Sequence, residues 1–201
     1  MKTLKPITLF LLLFGYTAAG TAQTEKFLAG GSMSFRYTKT NPEENSQMNT
    51  VSKTYSFSAA PVFGFTFVKN MMAGVAVEFT WENTSYEEGI SEYSKYNSVL
   101  LTPFYRYYFF SPLFAQVQFS WGPANSRQKY NPDMIPITEE LKFTLTSLGY
   151  GFGLGYDIRL ADHICLEPMV RYIKLYNTSS EENQSFRRSD ILFNLGIFYR
   201  F

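Results

Sequence analysis

Residues in this chain sort by twos. Counting back from Phe201, the residues Tyr199, Ile197, Leu195, Phe193 and Ile191 form a wholly apolar set, while Arg200, Phe198, Gly196, Asn194, Leu192 and Asp190 form a mixed one. A period of two separates such sets onto two faces only in an extended strand; a helix would scatter them around its axis. The alternation recurs eight times along the chain. Its first occurrence sets Phe27, Ala29, Gly31, Met33, Phe35 and Tyr37 against Leu28, Gly30, Ser32, Ser34 and Arg36. The third sets Ala73, Val75, Val77, Phe79 and Trp81 against Gly74, Ala76, Glu78, Thr80 and Glu82. The sixth sets Leu148, Tyr150, Phe152, Leu154, Tyr156 and Ile158 against glycines at 149, 151, 153 and 155, then Asp157 and Arg159. Phe143 and Leu145 fall on the other parity from Leu148, which predicts a bulge near Thr146 and Ser147.

The links between these segments alternate in length. KNMM (69–72), SPL (111–113) and ADH (161–163) are short, and the stretches near 38–53, 83–95, 123–140 and 177–189 are long and polar. Short turns on one side and long loops on the other mark a barrel that crosses a membrane. Closure pairs every backbone N–H and C=O, as hydrocarbon requires. The expected fold is all-β: a closed eight-stranded antiparallel up-and-down transmembrane β-barrel, with both termini on the short-turn, periplasmic side. The opening MKTLKPITLFLLLFGYTAAGTAQ adds a charged start, a short apolar run and small residues Gly20 and Ala22 before Gln23. It reads as a secretory signal peptide over 1–22, ahead of a barrel domain over 23–201. Its removal takes Lys2 and Lys5 and leaves 16 Lys and Arg against 17 Asp and Glu, a balance that does not suggest nucleic acid.

Volume decides which face points in. Aromatics make up 18% of the chain, with 20 Phe and 15 Tyr, and most lie in the apolar sets. An eight-stranded interior has room for ordinary side chains only, so the aromatic faces belong against lipid and the Gly-, Ser- and Ala-rich faces inside. The interior then holds Glu78, Glu82, Asp157, Glu167 and Asp190 with Arg36, Arg106, Arg159, Arg171 and Arg200. Buried charges must pair, which predicts a salt-bridge network with Arg36 or Arg106 neutralising Glu78 and Glu82. The glycine file leaves room for Arg106 or Tyr108. Tyr37, Tyr55, Trp81, Trp121 and Tyr172 near the outer strand ends, and Tyr107, Tyr156 and Tyr199 near the inner ones, predict two interfacial girdles. Lys53, Lys95, Lys142 and Lys174 share the lipid-facing parity near the loop ends, placed to meet lipopolysaccharide phosphates.

The strand segments FLAGGSMSF, GYGFGLGYDIRL and LGIFYRF, read together, resemble the outer-membrane β-barrel family of the OmpA/OmpX type, in the form common among Bacteroidetes-like bacteria, a porin-family outer-membrane barrel domain. The resemblance spans the whole mature chain and is a pattern rather than a catalytic signature. It implies outer-membrane lipid and lipopolysaccharide as surroundings, and a terminal strand, with Tyr199 and Phe201, read by the barrel-assembly machinery. The expected role is structural or one of surface interaction, with an extracellular protein or glycan partner for the loops NTSYEEGISEYSKYN and GPANSRQKYNPDMIPITEE, because exposed loops on a rigid scaffold are where binding concentrates. A narrow pore is the alternative, and an outer-leaflet lipid-modifying enzyme stands third. The one histidine, His163, lies in a short turn on the wrong side for outer-leaflet chemistry, and the one cysteine, Cys165, offers neither a disulfide nor a metal cluster. No cofactor, metal or catalytic residue is expected, and the chain reads as a monomer.

Overall fold

The computed structural model describes residues 26–40, 51–87, 91–110, 112–130, 140–179 and 185–201. The leader at 1–22 and the middles of the four long links lie outside the described residues. The strands are β1 (Phe27–Thr40), β2 (Ser52–Val68), β3 (Met71–Tyr86), β4 (Ser91–Phe110), β5 (Leu113–Tyr130), β6 (Leu141–Tyr156), the stub β7 (Ile158–Arg159), β8 (Ile164–Ser179) and β9 (Ser185–Arg200). Each strand from β1 to β6 pairs antiparallel with the next. β6 pairs across the stub with β8, β8 pairs with β9, and β9 returns to β1. Eight strands thus close a ring. The turn from β2 to β3 is Lys69–Asn70, and Asn70 sits at φ 64°, a left-handed conformation that asparagine tolerates better than most residues.

The outer face is the apolar one. Phe35 is 66% exposed, Leu154 59% and Trp81 49%, while Leu28, Thr102, Ser120 and Ser147 are buried. The bulge expected near Thr146 and Ser147 does not form: β6 keeps an unbroken register with both neighbours through those residues. Phe143 and Leu145 face inward instead, and Leu145 packs with Tyr96 and Ala124 in a small apolar cluster inside the loop end. The irregular positions lie elsewhere, at Thr66/Val68, Ser91/Tyr93 and Tyr108/Phe110.

The short-turn end of the interior is filled by Leu28, Met72, Phe104, Tyr108, Phe114, Cys165, Met169 and Phe198. The glycine file serves this plug and its neighbours rather than Arg106 or Tyr108. A methyl group at Gly155 would fall in the ring of Phe114, and the neighbours at Gly153 and Gly149 are Met169 and Leu175.

The strands also run further than the alternation predicts. β3 continues to Tyr86, β4 begins at Ser91 and β5 reaches Tyr130. Much of the stretches 83–95 and 123–140 is therefore paired hairpin, not loop. Polar cross-strand contacts maintain the pairing there, as between the Thr54 and Thr84 hydroxyls at 2.9 Å.

Candidate functional site: the barrel interior and its outer rim

The inward charges gather in three tiers. The inner tier joins β4, β8 and β9. Arg106 Nη1 donates to Glu167 Oε2 at 2.7 Å, and Arg106 Nε and Nη2 donate to Gln116 Oε1 at 3.2 and 3.0 Å. Arg200 Nη2 donates to Glu167 Oε1 at 3.2 Å and to the Tyr108 hydroxyl at 3.0 Å, and it pairs with Asp157. The Phe114 ring lies 4.0 Å from the Arg106 guanidinium carbon, so the apolar plug and the charged tier are one packed unit.

In the middle tier Arg171 grips Glu78 with both Nη atoms, at 2.9 and 2.8 Å. That two-pronged geometry is the strongest available to a carboxylate. In the outer tier Arg36 pairs with Asp190 and with Glu82 at 2.7 Å, and Arg188 pairs with Glu82 at 2.6 Å and with Asp190.

Glu82 thus meets Arg36 as one of the two expected bases. Glu78 meets Arg171 instead, because Arg106 is held by Glu167 lower in the barrel. Arg159 keeps the inward parity, opposite buried Cys165, but is exposed at the short-turn mouth of the barrel. Arg188 takes a place in the network that alternation alone did not give it, because its segment is so polar that it reads as loop. Inward parity counted back from Asp190 was the available signal.

Each tier is neutral by itself: two arginines against Glu167 and Asp157, one against Glu78, two against Glu82 and Asp190. Two chambers of about 30 Å³ each lie between the tiers, and Glu78 lines both. Each has room for ordered water. Asp157, Cys165 and Glu167 bring donor atoms within 4.8 Å of one another, yet the Arg200 guanidinium already contacts both carboxylates. The site therefore answers a cation of the protein's own. His163 is exposed in the turn after β7, with its ring 5.5 Å from that of Tyr199.

Outside, the rim lysines differ. Lys95 and Lys142 are exposed, Lys53 pairs with Glu87, and Lys174 lies 5.7 Å from the centre of the Tyr176 ring. Lys129, beyond the girdle, is hydrogen-bonded to Glu92, which with its charge holds the ammonium above its usual pKa. Tyr37, Tyr55, Trp81 and Trp121 are 47–49% exposed at one level, and Tyr156 and Tyr199 are 47% and 48% exposed at the other. Phe201 stacks on Phe27 at 5.5 Å, and its backbone carbonyl accepts from the Lys26 and Phe27 amides.

A closed antiparallel wall with aromatic residues facing out and balanced charge within defines the class: an outer-membrane-type β-barrel. The solved structures agree at the level of fold. The outer membrane protein OprG from Pseudomonas aeruginosa superposes with a TM-score of 0.50 at 13% identity, over 88% of this chain and 96% of that one. Ail, the attachment invasion locus protein of Yersinia pestis, gives 0.46 at 16% identity, over 89% and 100%. Neisserial surface protein A gives 0.47 at 14% identity, over 87% and 96%. No family model matches the chain, and no curated protein matches it in sequence.

Proposed function

We propose that this protein resides in the bacterial outer membrane with its termini in the periplasm. There it acts as a structural and surface-interaction barrel without catalysis. The observation that carries this reading is the filled interior beneath hairpins that stand beyond the outer girdle. Three neutral tiers and an apolar plug occupy the interior among the described residues, which favours this reading over a solute pathway. β4 and β5 carry paired strand past the Trp121 level to Ser91 and Tyr130, a rigid platform for contact with an extracellular protein or glycan. Shortening the two links that carry these strand ends, by removing 88–95 with 125–139, should abolish adhesion of whole cells to matrix or host glycan while leaving barrel insertion intact. Unchanged adhesion by the shortened barrel would count against the reading.

The rim offers a second contact. Lys95 and Lys142 extend outward at the level of lipid headgroups, where lysine stems snorkel toward phosphate. Changing Lys53, Lys95, Lys142 and Lys174 together to Gln should weaken retention of lipopolysaccharide. If retention and thermal stability are both untouched, the rim is ordinary solubilising charge.

A further inference from the structure

One joint of the wall is incomplete. β1 and β9 pair only between Leu28–Ser34 and Asn194–Arg200, seven rungs. Neither strand ends there: β1 stays on β2 as far as Thr40 opposite Ser52, and β9 stays on β8 back to Ser185 opposite Thr178. The two strands simply part. The girdle fixes the height. Tyr37 pairs with Tyr55 on one side of the gap and Ile191 with Tyr172 on the other, and Phe35 and Phe193 lie one outward position below them. The notch therefore begins just beneath the outer girdle and opens through the headgroup region. Ile191, at 73%, and Phe35, at 66%, are the most exposed large apolar side chains among the described residues, as the missing neighbour across the joint requires.

Unpaired backbone groups facing hydrocarbon cost several kcal/mol each, about the penalty of burying an amide without a partner. Such a gap is tolerable only where polar matter sinks into it. Polar demand lies on both sides of its floor. Arg36 holds Glu82 and Asp190 with its terminal nitrogens, but its buried Nε has no partner among the described residues. Asn194, on the last rung and 4% exposed, leaves Oδ1 without one. Arg187, exposed on β9, the strand that borders the gap, holds its guanidinium 5.6 Å from the centre of the Tyr176 ring, and the Lys174 ammonium lies 5.7 Å from the same ring on β8, one strand further from the gap.

We propose that this notch seats the phosphate headgroup of an outer-leaflet lipid. Its phosphate oxygens take the free edge N–H groups and Arg36 Nε, Arg187 and Lys174 draw the charge to the lip, and the acyl chains lie on Phe35, Ile191 and Phe193. A strand from another chain would also satisfy the edges, but the cations at the lip and the height of the gap favour lipid. The proposal shares Lys174 with the rim reading and needs none of its other lysines.

The test is amide hydrogen exchange on the full barrel in maltoside micelles, which carry no phosphate, and in phosphatidylglycerol nanodiscs. In micelles the amides of Tyr37, Ile191 and Phe193, whose N–H groups point into the gap, should exchange about tenfold faster than those of 55–58 at the same height, and in nanodiscs that difference should close. Arg36→Gln should reopen it. Since that change also disturbs the outer tier, the pair Arg187→Gln with Lys174→Gln, outside the three ion-pair tiers, provides a second check with the same expected direction. Changing Lys53, Lys95 and Lys142 to Gln should leave the closure intact, which separates this seat from the rim. Equal protection in micelles would mean the joint is zipped. Equal fast exchange in both media would mean water alone fills it. Closure by inorganic phosphate in micelles, or closure that follows a dimer fraction, would replace the lipid with a free anion or a second chain. Each of these four results overturns the proposal.

Discussion

Glu167 is the most deeply buried ion-paired carboxylate among the described residues. It is 3% exposed, accepts from Arg106 at 2.7 Å and from Arg200 at 3.2 Å, and lies beside the Cys165 thiol. Replacing it leaves Arg106 without a carboxylate and Arg200 with Asp157 alone in a nearly dry site. Glu167→Ala should therefore lower unfolding free energy by about 3–5 kcal/mol, the usual cost of breaking one side of a buried pair. Lys53→Gln, at an exposed pair with Glu87, should lose no more than about 1 kcal/mol. Urea titration of the refolded barrel by tryptophan fluorescence reads both, and similar losses would mean the interior pairs are solvated. At this scale the alternation revealed which residues face in. It did not reveal that Glu78 goes to Arg171, because strands β3 and β8 are brought together only by closure of the ring.

For single elements, β6 shows where parity is trustworthy and where it fails. Its alternation holds from Leu141 to Tyr156 without the expected bulge. Phe143 and Leu145 broke the apolar-out pattern because apolar residues are also needed inside, beside Tyr96 and Ala124. Beyond Tyr156 the same register on β8 runs through Asp157 into β7, and Arg159, on the inward parity, is exposed at the barrel mouth. Glycine in β6 is a packing requirement: Gly155→Ala would drive a methyl into the Phe114 ring and should cost about 1–3 kcal/mol by overpacking. The same change in a Phe114→Leu background should cost much less, and an equal cost in both backgrounds would exclude ring contact as the cause. β9 carries the other element-level expectation. We infer that the terminal Phe201, with Tyr199, serves the assembly machinery as well as the membrane anchor. Removing Phe201 should slow insertion in cells more than refolding in detergent, and equal effects would leave only the packing on Phe27.

For the whole molecule, the barrel is closed twice, by the plug of Phe104, Phe114 and Phe198 and by the tiers above it. Changing Glu78 and Arg171 together to Ala removes the divider between the two chambers without leaving a lone charge. Planar-bilayer recording of that double variant should still show no stable unit conductance, because the plug remains below. Steady current would show that the middle tier is the only barrier and would favour the pore reading. The sequence by itself determined the strands, their outward and inward faces and the composition of the interior, because side-chain alternation is a local property that each strand carries alone. Only the tertiary structure decided the ion-pair partners, the place of Arg188, the hairpins that persist beyond the girdle and the parted joint between β1 and β9. Each of these depends on the register between strands far apart in the chain, and no single segment encodes where its partner's pairing ends.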